Sequence, residues 1–120
     1  YGEGNQTRSF CYVDDLIGAF IRLMATGNEI TGPINLGNPN EFTIIELAKT
    51  VIEMTNSKSD LKFVALPSDD PKQRRPDISL AQAQLGWQPN ISLHDGLART
   101  IPYFEQMIAA GVQVNTWQPA

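Results

Sequence analysis

The chain has 120 residues, a formal net charge of −4 and 42% hydrophobic residues, enough for one small globular domain with a modest core. Its acidity excludes the broad basic face that nonspecific nucleic-acid binding requires, and no run of about 18 apolar residues is present to cross a membrane as a helix. The single cysteine, Cys11, has no internal disulfide partner, a usage that fits a reducing, cytoplasmic setting.

The chain opens on YGEGNQTRSF, without methionine and already in turn chemistry, so a piece of a longer protein is expected. Gly2 and Gly4 mark a turn, because glycine takes positive φ without steric cost. Arg8–Tyr12 reads as a short extended segment. Val13, Leu16, Ile17, Phe20 and Met24 recur at helical spacing, which predicts a helix over 14–25 with Asp14 and Asp15 at its positive end. Gly27 and Asn28 are expected to end it. Pro33–Gly37 reads as a short buried strand.

Thr43 and Glu46 form a capping box, and Ile44, Leu47, Ala48 and Val51 make one apolar stripe, so a helix is expected to about Met54. Leu61–Leu66 alternates as a strand, with Leu61, Phe63 and Ala65 on one face. Asp77 is expected to cap a short helix over 78–85, with Gly86 as its left-handed terminator. Ser92 and Asp95 make a weaker box at the start of a last helix, whose apolar face is Leu93, Leu97, Ile101, Phe104 and Ile108. That helix should stop before Gly111 and kink at Pro102, which lacks a backbone donor. The predicted class is α/β, about four helices with two or three short strands, as a lobe over 1–110 and a tail over 111–120.

Much chemistry is missing. There is no GxGxxG turn for a dinucleotide and no GxxxxGK[ST] phosphate loop. One histidine, His94, and one cysteine make neither a metal cluster nor a Ser-His-Asp triad. No catalytic residue is expected in this chain, nor any metal or cofactor of its own. Asp14 and Asp15 resemble an acid–base pair, but their place at a helix N-terminus accounts for them. Asn35 and Asn38 read as turn formers. Trp87 reads as a packing residue.

One stretch asks for an explanation. DDPKQRRPD, residues 69–77, sets Arg74 and Arg75 side by side in a loop framed by Pro71 and Pro76. Prolines restrict the loop and lower the ordering cost of binding. A guanidinium pair suits a diphosphate, since each planar fork gives paired, charge-assisted hydrogen bonds and stays ionised. The alternative is surface pairing with Asp69, Asp70 or Asp77, worth under about 1 kcal/mol.

Three stretches, GEGNQTRSFCYVDDLIGAFIRLM, GPINLGNPNEFTIIELA and DDPKQRRPDISLAQAQLGWQP, resemble the C-terminal half of the extended short-chain dehydrogenase/reductases that act on nucleotide sugars. NLGNPNEFTI and DDPKQRRPDI narrow the resemblance to the UDP-glucuronate decarboxylases among them. Relatives within the superfamily are dTDP-glucose 4,6-dehydratases and UDP-sugar 4-epimerases. The resemblance implies a substrate-binding lobe whose Rossmann domain, with its NAD site and Tyr-x-x-x-Lys pair, lies outside this chain. It further implies a homodimeric parent acting on a UDP-sugar, in which a C4 ketone made with bound NAD lets the carboxylate leave as carbon dioxide. By the same resemblance Arg8 in QTRSF and Arg74 meet the diphosphate and sugar, Tyr1 and Gln6 lie near the uridine, and Arg75 is a further candidate. Tyr12 is not the catalytic tyrosine, because position 16 is Leu16 and not lysine. The rival from another class is a ligand-free interaction module.

Overall fold

The computed structural model describes residues 1–67, 71 and 73–112. Among the described residues there are four helices and a small three-stranded sheet: β1 (Thr7–Ser9), α1 (Val13–Met24), β2 (Glu41–Thr43), α2 (Ile44–Met54), β3 (Gln73–Arg74), α3 (Ser79–Leu85) and α4 (Leu93–Ala109). The strand order is β2-β1-β3. β1 runs antiparallel to β2 and parallel to β3, with Arg8 in register with Phe42 on one side and Arg74 on the other.

The helix ends follow from local chemistry. Thr43 Oγ1 accepts the Glu46 N–H, and the Glu46 carboxylate accepts the Thr43 N–H and hydroxyl, so the expected capping box starts α2. Ser92 Oγ accepts the Asp95 N–H, while Asp95 accepts the Ser92 hydroxyl. Gly86 ends α3 in the left-handed region at φ 57°, and Arg22 of α1 donates to the Leu85 and Gly86 carbonyls. That cation at the negative end of α3 ties the two helices together.

Ala19, Ile78, Ala81, Leu85 and Trp87 form the core, and Leu23, Ile34 and Leu36 pack against it. It sits between α1 and α3. The Trp87 indole N–H donates to the Asp15 carbonyl at 3.0 Å, and the Asp15 carboxylate accepts the backbone N–H groups of Asn90 and Ile91. Asp15 therefore anchors the α3–α4 connection to α1, and Trp87 is the packing residue its position after Gly86 suggested.

Several expectations are corrected. Pro33–Gly37 is not a strand. Pro33 has no N–H for a ladder, and β1 already has a neighbour on each side, so the segment instead lays Ile34 and Leu36 on the core. Leu61–Leu66 is not a strand either. Leu61, Phe63, Val64 and Leu66 are exposed, and the Val64 carbonyl accepts the Gly2 N–H. The extended segment expected over 8–12 is β1, at 7–9. α1 stops at Met24, with Ala25 rather than Gly27 as its cap. Asp77 lies one residue outside the cap of α3, which is Ile78, and accepts the Ser79 N–H and hydroxyl. As expected, α4 contains Pro102 and ends at Ala109, before Gly111. Asp69, Asp70 and most of the expected tail, residues 113–120, lie outside the described residues.

Candidate functional site

A cleft of about 590 Å³ opens at the β1–β3 side of the sheet. β1 brings Arg8 and Ser9 to it, the segment before α1 brings Cys11, the loop before β2 brings Leu36, Gly37 and Asn38, and β3 with its continuation brings Gln73, Arg74 and Arg75. Residues in register on neighbouring strands project from the same face. The parallel pairing of Arg8 with Arg74 therefore joins two arginines that are 66 positions apart in the sequence. Among the described lining residues there are three arginines and no carboxylate, in a chain that is acidic overall. Three arginines lining one cleft suit it to an anion.

The surroundings fix the mouth. The Arg8 guanidinium donates to the Thr7 carbonyl at 2.8 Å. Ser9 Oγ donates to the Arg74 carbonyl at 3.2 Å, reinforcing the β1–β3 pairing. Asn38, 6% exposed, accepts the Asn40 N–H through Oδ1, the turn-forming task its NLGN context suggested. Gly37 lies against Pro76, so that a Cβ added there would stand 3.0 Å from the proline ring. This close approach brings the loop before β2 up to the arginine loop.

Arg75 also lines an adjoining cleft of about 380 Å³ with Pro39, Pro76, Asp77, Ser79 and Gln82. The Asp77 carboxyl is held below its ordinary value by the Ser79 hydroxyl and N–H first, with Arg75 adding a smaller attraction. Arg75 thus lines the arginine cleft and lies near enough to Asp77 to attract its carboxylate. The structure does not bring Gln6 or Tyr1 to the arginine cleft. Gln6 lines a separate cleft with Gly2, Glu3, Asn5 and Leu66, and its side-chain amide donates to the Tyr1 carbonyl at 3.0 Å.

Other candidates have structural tasks. Asp14 meets Arg99 at 3.9 Å on the surface, and Arg99 lies over the Tyr12 ring. Burial, and then the Asp15 carboxylate, raise the Cys11 thiol above its ordinary value, so Cys11 is a protonated, unactivated wall residue. Among the described residues no group of side chains could hold a metal ion, and no helix is long and apolar enough to cross a membrane. Sequence reasoning missed Ser9, Asn38 and Gln73 as cleft residues. Their signal is only their nearness to Arg8 and Arg74 once β1 and β3 pair, which periodicity does not reveal.

No family model matches the chain. The chain is 56% identical over 94 residues to UDP-glucuronic acid decarboxylase 3 of Arabidopsis thaliana, covering 78% of this chain and 27% of that protein. It is 45% identical over 106 residues to UDP-glucuronic acid decarboxylase 1 of Danio rerio, covering 88% and 25%. Among solved structures it superposes on UDP-glucuronic acid 4-epimerase from Bacillus cereus, in complex with UDP-glucuronic acid and NAD, with a TM-score of 0.82 at 31% identity, covering 89% and 34%. The chain spans about a quarter of the length of the curated relatives it matches.

Proposed function

Since the chain has the sequence and fold of the C-terminal part of the extended short-chain dehydrogenase/reductases that act on nucleotide sugars, we propose that it supplies the diphosphate-binding wall of such an enzyme's active site. The observation that carries this is the β1–β3 register, which sets Arg8 beside Arg74 at one cleft whose described lining holds three arginines. In this reading both guanidinium groups clamp the diphosphate of a UDP-sugar, Arg75 adds charge at the rim, and Ser9, Asn38 and Gln73 complete the wall of the cleft. Holding the diphosphate orients the sugar toward groups supplied by the rest of the protein, the positional part of catalysis. Gln6 and Tyr1 are assigned to a neighbouring uridine subsite.

The residues of this chain do not fit NAD: no glycine-rich strand–turn–helix is present to cradle a pyrophosphate against a helix start. NAD, named with the Bacillus cereus epimerase, is assigned to the portion of the protein outside this chain, the Rossmann domain. A patch on the lobe suits that neighbour. Val13, Ile17, Phe20, Ile21 and Met24 stand exposed along α1, Met24 by 84%, an apolar stripe that a soluble surface rarely leaves open. The parent is assigned as a cytoplasmic homodimer.

The reaction proposed for the parent is decarboxylation of UDP-glucuronate to UDP-xylose. The 56% identity to a decarboxylase, against 31% to an epimerase of the same fold, favours it over 4-epimerisation. The test is a product assay on the complete gene product with UDP-glucuronate. Carbon dioxide and a UDP-pentose are expected, whereas a UDP-hexuronate epimer without gas release would transfer the assignment to the epimerases. The 120-residue chain by itself is expected to turn nothing over.

A further inference from the structure

Glu41 takes no part in the cleft lining, yet its carboxylate reaches over the whole sheet. It sits on β2, on the far side of β1 from β3. Its Oε1 accepts the Thr7 hydroxyl of β1 at 2.7 Å. Its two oxygens accept the Gln73 side-chain amide of β3 at 2.8 and 2.9 Å. One side chain thus hydrogen-bonds to both other strands. The arginine strand needs such a tie. β3 has two residues, both exposed, and among the described residues it is linked to β1 by the pairing at Thr7 and Arg8 and by the Ser9 hydroxyl on the Arg74 carbonyl.

Resting on the anion-cleft reading above, we propose that Glu41 is a positioning residue: it clamps Gln73, and through it the Arg74–Arg75 strand, against β1, so that the guanidinium groups are held at the cleft before a ligand arrives. Charge works in the same direction. The Glu41 carboxylate attracts Arg75 and does not compete for the ligand, because Glu41 is not among the residues lining the cleft. The Thr7 and Gln73 hydrogen bonds, followed by the more distant Arg75 charge, hold the Glu41 carboxyl below its ordinary value, so the clamp is ionised at neutral pH.

The test uses the full 120-residue chain with Glu41→Gln, which keeps the shape and removes the charge, and Gln73→Leu, which removes only the β3 arm. Amide hydrogen exchange at Ser9 and Arg74 reports the clamp without any ligand. Both variants are expected to exchange there about tenfold faster, the effect of losing one charge-assisted hydrogen bond, while amides in α2 and α4 keep their rates. UDP affinity by calorimetry should fall by a similar factor in each. Unchanged exchange at Ser9 and Arg74 in both variants overturns the clamp whatever UDP does. Faster exchange with undiminished UDP affinity overturns its positioning role. Failure of the unsubstituted chain to bind UDP counts against the anion-cleft reading instead, and exchange alone then decides the clamp.

Discussion

Replacing Trp87 with alanine should remove a large share of the chain's stability. Trp87 is 5% exposed and is the largest of the five residues in the core. A buried indole removes about 200 Å² from water, which at about 25 cal/mol/Å² gives an upper bound near 5 kcal/mol. Loss of the 3.0 Å bond to the Asp15 carbonyl adds about 1 kcal/mol. Partial collapse of the site reduces the total, and truncations of this kind usually cost about 3–5 kcal/mol. The expected loss is therefore about 4 kcal/mol, out of a total stability of roughly 5–15 kcal/mol for a small domain. The assay is urea unfolding followed by far-ultraviolet circular dichroism, since the substitution removes a fluorophore. Trp87→Phe keeps most of the ring and should lose about 1–2 kcal/mol. A loss below about 1 kcal/mol for Trp87→Ala would refute the claim that the α1–α3 core holds the lobe together.

Two further outcomes follow from local chemistry. The Thr43 N–H and hydroxyl hold the Glu46 carboxyl below its ordinary value of about 4.5, so its contribution is fully present above that value and disappears as pH falls through the lowered folded one. Urea midpoints of the unsubstituted chain and Glu46→Gln should therefore differ at pH 7 and converge in acid; a gap independent of pH would contradict this. Cys11, with its thiol raised by burial and by Asp15, should alkylate with iodoacetamide at pH 7 more slowly than free cysteine; reaction as fast as an activated thiolate would contradict it.

The helices were legible in the sequence because each carries its own signals. The capping box at Thr43 and Glu46, the left-handed Gly86 and the stripes of α1 and α4 are local, and they set boundaries to within a residue or two. The sheet was legible only in part. β2 and β3 have three and two residues, too short for an alternation to register, and what makes them strands is the presence of β1 between them. The longer alternation at 61–66 looked more like a strand, but its apolar residues stay exposed and it joins no ladder. The cleft divides the same way. Arg8 and Arg74 stood out through motif and charge, whereas Ser9, Asn38 and Gln73 reach the cleft only through tertiary pairing. Gln6, assigned by resemblance to the uridine with Tyr1, lines a different cleft and donates to the Tyr1 carbonyl.

The most direct test of the central claim is calorimetric titration of UDP into the full 120-residue chain, alongside Arg8→Ala and Arg74→Ala, at low and at moderate salt. Binding that weakens as salt rises, and that falls by about tenfold in each variant for the loss of a charge-assisted contact, is the predicted result. Equal affinity in all three proteins would mean that the paired arginines do not hold the diphosphate.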